Sequence, residues 1–84
     1  MYFVVAPTYT KSIGDCRGGK SPGENAGFTQ YDDRNCQERC SNSPTCTGFT
    51  LPLEGNWCQT KTSVGAIGLG SGPYECFMKS PGTY

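Results

Sequence analysis

Histidine is absent from the 84 residues, and so is any C-x-x-C pair. Without an imidazole to move the proton there is no Ser-His-Asp or Cys-His catalysis. Zinc sites of ordinary spacing, which usually take two close ligand pairs such as C-x-x-C and often histidine, are not expected either. Net charge is also missing, because seven basic and seven acidic residues balance with no run of either sign. Nucleic acid and anionic membrane surfaces, which need such runs, are therefore not expected as partners. Long apolar runs are lacking too. Tyr2-Phe3-Val4-Val5-Ala6 is too short for a signal-peptide core, has no basic region before it, and falls far short of a membrane span. Membrane insertion is not expected. The chain reads as a mature domain or one unit of a larger polypeptide, with any signal removed or located elsewhere.

What is present in excess is cysteine and glycine. Only 35% of residues are apolar, against twelve glycines and six prolines, which implies a thin, loop-rich core. A domain of this size buries only about 60% of the surface its unfolded chain exposes. Cysteines at 16, 36, 40, 46, 58 and 76 supply the remedy. An even set spread through a short chain reads as a disulfide framework formed in an oxidising compartment, hence a secreted protein. Each bridge contributes about 2–4 kcal/mol, comparable with the net stability of a small domain. Spacing alone leaves the pairing open. Bonded cysteines are not nucleophiles, so no catalytic residue, metal ligand or cofactor is expected, and the protein is read as not an enzyme. The carboxylates Asp15, Asp32, Asp33, Glu54 and Glu75 form no recognisable acid/base pair.

One stretch argues against this. Gly14-Asp15-Cys16-Arg17-Gly18-Gly19-Lys20-Ser21 matches the phosphate-loop pattern G-x-x-x-x-G-K-[ST]. A working phosphate loop is entered by a buried strand and left by a helix whose N-terminus faces the phosphates. Here Ser21-Pro22-Gly23-Glu24-Asn25 follows, and proline and glycine oppose a helix at that point. The stretch therefore reads as a glycine-rich loop around the first framework cysteine, with Lys20 solvated.

Extended segments are expected at 2–5 and 9–13, at 28–31, and at 46–51, 57–61 and 74–79, where β-branched and aromatic residues concentrate. Glu54-Gly55-Asn56 is a tight turn between two of them. Residues 14–27 and 62–73 read as glycine-rich connections. The one helix runs from Arg34 to Cys40, N-capped by an aspartate and stopped by Ser41-Asn42-Ser43-Pro44. Its Cys36 and Cys40, at i and i+4, share a face. One cysteine-bearing helix facing a small antiparallel sheet is an α+β, disulfide-rich fold. The organisation is an extended arm at 1–13, a domain at 14–79 and a tail or linker at 80–84.

Cys36-Gln37-Glu38-Arg39-Cys40, Cys46-Thr47-Gly48-Phe49-Thr50, Trp57-Cys58 and Tyr74-Glu75-Cys76-Phe77-Met78-Lys79 together resemble the PAN/apple family of extracellular modules. The resemblance covers about residues 16 to 79. It implies one helix stapled to a curved antiparallel sheet, with Cys16–Cys76, Cys36–Cys58 and Cys40–Cys46 as the nested bridges. It also implies a noncatalytic extracellular binding or adhesion module whose ligand is a glycan or another protein, although fold does not choose between these.

Two surface features sharpen the expectation. Phe49, Leu51, Trp57 and Phe77 lie at the opposite parity from the cysteine of their own strand, so an unbulged sheet would gather them into an apolar patch for sugar or protein. The weightier alternative turns Phe49 and Trp57 inward, because so small a domain needs its large aromatics in the core. The second feature is the arm. Tyr2, Phe3, Val4 and Val5 could add a strand to a neighbouring copy, making the chain a repeat unit of an extracellular fibre assembled head to tail. The weightier alternative pairs the arm with its own sheet. Thr8, Ser21, Ser43 and Ser80, each beside proline, are candidates for O-glycosylation.

Overall fold

A computed structural model describes residues 7–17, 27–62, 66–67 and 73–80. Within them run β1 (Thr8–Ile13), β2 (Cys16–Arg17), β3 (Phe28–Tyr31), α1 (Cys36–Ser41), β4 (Gly48–Pro52), β5 (Cys58–Lys61), β6 (Ala66–Ile67) and β7 (Tyr74–Ser80). Five strands form an antiparallel sheet in the order β1-β7-β4-β5-β3, and β2 and β6 pair as a separate two-stranded ribbon. The architecture is α+β and disulfide-rich. Residues 16–17 and 66–67 fall within stretches read as connections, and two-residue strands are too short to leave a periodic signal.

Disulfides join Cys16 to Cys76, Cys36 to Cys58 and Cys40 to Cys46. They divide between the two faces of the sheet. Cross-strand partners share a face, and the register sets Tyr9, Phe77, Phe49, Thr60, Cys58 and Tyr31 on the side of α1. Cys76 and Thr50 point the other way, where the Cys16 N–H donates to Thr50 Oγ1 at 2.9 Å. Gly14 carries the chain from β1 round to that face with φ of 108°, a conformation that favours glycine. Gly55, at φ 112°, does the same in the turn between β4 and β5.

In this two-sided frame Phe49 takes the weightier alternative, a place in the core, and not the patch. Phe49 is fully buried, stacked on Phe77 at 4.8 Å and edge-on to Tyr9 at 5.0 Å. Phe77 and Leu51 pack against the same cluster. Opposite parity does not collect the four residues on one face, because the cysteines themselves lie on different faces and Cys46 precedes β4. Trp57 alone goes to the far side, edge-on to Tyr74 at 5.8 Å. Glycine and proline aside, the buried residues among those described are the six cysteines, Phe49, Thr50 and Lys61. Sulfur is the main filling of this interior.

The helix is shorter than its sequence signal. It begins at Cys36 behind Asn35, with no side-chain cap, because Asp33 instead accepts the Asn35 N–H at 2.9 Å and pairs with Arg39. Its C-terminal end is held from β7, where Lys79 Nζ donates to the carbonyls of Cys40 at 2.6 Å and Ser43 at 2.9 Å. A lysine at a helix C-terminus satisfies exposed carbonyls and opposes the helix dipole.

Two stability outcomes follow from this packing. Phe49→Ala lowers the unfolding free energy by about 3–5 kcal/mol, read as a fall in the guanidinium midpoint. A loss below ~1 kcal/mol would mean that the ring does not close the interior. Removing both cysteines of Cys16–Cys76 costs about 2 kcal/mol more than removing those of Cys40–Cys46, because it frees a loop tenfold longer, 60 against 6 residues. Equal losses would contradict a frame acting through loop closure.

Candidate binding groove

Helix α1 packs on β4 and β5, reaches Tyr31 of β3 through Arg39, and leaves Thr29 of β3 exposed beside it. Thr29 on β3 stands opposite Thr60 on β5, and Tyr31 stands opposite Cys58 beside the Cys36–Cys58 bridge. Thr29, Tyr31 and Thr60, with Arg39 from the helix, Ser43 and Thr45 from the following turn and Lys61 at the end of β5, line a groove of about 190 Å³. A second, more open hollow of about 480 Å³ adjoins it, lined by Tyr31, Asn35, Glu38, Arg39 and Asn42. Tyr31 and Arg39 are common to both hollows.

The shared wall is held in place by its chemistry. The Arg39 guanidinium carbon sits 4.0 Å from the centroid of the Tyr31 ring, in a cation–π stack. Arg39 Nη1 donates to Asp33 Oδ1, and Nη2 donates to Oδ2 at 2.7 Å. The Arg39 hydrogen bonds, followed by the Asn35 N–H, lower the Asp33 carboxyl from 3.8 to about 2. Asp33 is therefore ionised across the ordinary pH range, and the Arg39 cation is matched by an anion. Along the other wall, Ser43 Oγ accepts the N–H groups of Cys46 at 3.2 Å and Thr45 at 3.3 Å, and lies 3.2 Å from Thr45 Oγ1. The surface offered to a ligand is mainly hydroxyl groups, which both donate and accept, around one charge-balanced aromatic and guanidinium stack.

Few of the residues marked by the sequence reach this groove. Phe49, Leu51 and Phe77 form the packing beneath it, and Trp57 lies on the far face. Tyr2, Phe3, Val4 and Val5 lie outside the described residues, as do Gly19, Lys20 and Ser21 of the phosphate-loop match. Cys16, within that match, is buried in its bridge to Cys76. Thr8 and Ser80 face each other, exposed, across β1 and β7. Ser43 is half-buried with its hydroxyl engaged in the turn, so O-glycosylation there would compete with those bonds. Asp33, Tyr31 and Arg39 carried no such mark. Their signal is an aromatic, a carboxylate and an arginine spaced around one helix start, where the first turn of helix brings residue 39 back over residues 31 and 33.

Among the described residues, no group of three or more His, Cys, Asp or Glu side chains could hold a metal, and no helix is long and apolar enough to cross a membrane. Comparison with protein-family models, with curated proteins and with solved structures gave no match.

The Asp33–Arg39 pair has a pH signature. Its folded pKa lies below the unfolded value, so the pair's contribution is complete above about pH 4 and is lost as pH falls from 3.8 towards 2. The stability difference between the native chain and Asp33→Asn is expected to be flat above pH 5 and to close across that window. It stays small, because the pair faces solvent. A difference that persisted unchanged below pH 2 would contradict the ion pair as its source.

Proposed function

We propose that this chain is a noncatalytic extracellular binding module of PAN/apple-like fold whose ligand is a glycan held in the Tyr31–Arg39 groove. The observation that carries the reading is the lining of that groove. Hydroxyls of Thr29, Thr60, Ser43 and Thr45 surround a concave surface with one stacked aromatic at its wall. Polar groups of this kind fix the orientation of a polyhydroxylated ligand. A protein partner is less favoured, because Phe49 and Phe77, aromatics of the kind that anchor protein interfaces, are committed to the interior. The three bridges support an oxidising, extracellular setting.

A glycan array on the oxidised protein, followed by calorimetry, tests this. Thr29→Val and Thr60→Val remove hydroxyls without changing side-chain volume greatly, and each is expected to weaken binding at least tenfold while thermal stability is kept. Binding that both variants retain in full would move the site elsewhere, and an array without any binder would refute the glycan reading.

A second reading, a repeat unit of an extracellular fibre, rests on β1. This six-residue strand is the outer strand of the sheet, and its second edge pairs with no strand among the described residues. An exposed edge is a template for another chain. Sedimentation of the full chain discriminates: concentration-dependent assembly that is lost on deleting residues 1–6 supports the fibre, and a monomer at every concentration contradicts it.

A further inference from the structure

The charges around the groove and the doubling of its hollows narrow the ligand beyond the word glycan. Arginine recognises carboxylate, sulfate or phosphate through a bidentate fork. In Arg39 the Nη1–Nη2 fork is already filled by both oxygens of Asp33. The neighbouring hollow adds a carboxylate, Glu38, and no further cation. Lys61 lines the first hollow, but its Nζ lies 4.6 Å from the centroid of the Phe28 ring, on the side of the sheet away from α1. With Asp33, which lines neither hollow but fills the Arg39 fork, two carboxylates, Asp33 and Glu38, balance the Arg39 guanidinium and Lys61. Tyr31 and Arg39 line each hollow, so one ligand can touch both sides of their shared wall only if it is longer than either hollow.

From this we infer that the groove takes an uncharged, chain-type saccharide that spans both hollows across Tyr31 and Arg39, and that Asp33 excludes acidic saccharides by occupying the Arg39 fork. The inference rests on the glycan reading and deepens it. Asp33 acts here as a specificity-determining residue through Arg39.

Calorimetry on the full oxidised chain near neutral pH tests each part, using neutral gluco-, manno- and galacto-oligosaccharides of increasing length beside oligogalacturonates matched in length. The expected result is binding of one neutral series, with affinity rising at least tenfold from monosaccharide to the longer chains and little dependence on salt. Oligogalacturonates bind at least tenfold more weakly than that series, and Asp33→Asn, which removes the carboxylate charge, narrows this gap by at least tenfold. Asp33→Ala, which also empties the fork, keeps the test open should the asparagine retain the pairing. Tighter binding of oligogalacturonate by the native chain would overturn the inference and leave the glycan reading standing. A neutral series bound equally at every length would overturn the spanning of two hollows. A gap unchanged in both Asp33 variants would overturn the role of Asp33. If neither the neutral nor the acidic saccharides bind, the glycan reading falls, and this inference with it.

Discussion

Phe49 sits in β4, the middle strand of the sheet, flanked by Phe77 on one neighbouring strand and by the helix cysteines above, and the α1 side of the sheet is arranged around it. It is the one large apolar side chain among the described residues that is wholly buried. In a chain with so little apolar content, a single ring cannot hold a helix on a sheet. The two bridges from α1, to β5 and to the segment before β4, fix the helix over that ring. Burial and covalent restraint thus act at the same place. The third bridge, on the far face, ties β7 to the start of the two-stranded ribbon and works on the ends of the chain.

The groove is a consequence of this arrangement. A six-residue helix anchored at Cys36 and Cys40 is too short to cover five strands, and β3 at the sheet edge is left beside it. Residue 39 lies between the anchors in sequence, next to Cys40, so the bridges also set where Arg39 emerges. Asp33 and Tyr31, on the segment leading into the helix, then fix its guanidinium from two sides. Lys79 holds the other end of the helix through two carbonyls and so fixes the Ser43 turn that forms the opposite wall. Rigid support of this kind is what a binding site on a small domain requires.

Much of this was legible in the residues, and what was not has a physical cause. Alternation and β-branched content marked β1, β3, β4, β5 and β7 to within a few residues, and Cys36 with Cys40 at i and i+4 marked the buried face of the helix. Parity failed for Phe49, Leu51 and Phe77, because it relates a residue to its own strand and says nothing about which face each cysteine occupies. The ribbon of β2 and β6 left no pattern, being two residues on each side. Asp33 was legible as one of two aspartates before a helix start, either of them a candidate cap, and not as the partner of Arg39. That choice depends on where the helix begins, and helix boundaries are the least determined part of a sequence reading. The groove residues Thr29 and Thr60 are ordinary strand threonines until the register sets them opposite one another.

A frame of sulfur and one phenylalanine positions a hydroxyl-lined groove at Tyr31 and Arg39. The most direct test is a two-dimensional NMR titration of the oxidised chain with a neutral oligosaccharide that it binds. Perturbed amide signals are expected at Thr29, Tyr31, Arg39, Thr45 and Thr60, with those of Trp57 and Tyr74 unmoved. Perturbations centred on Trp57 and Tyr74 on the far face, with the groove silent, would contradict it.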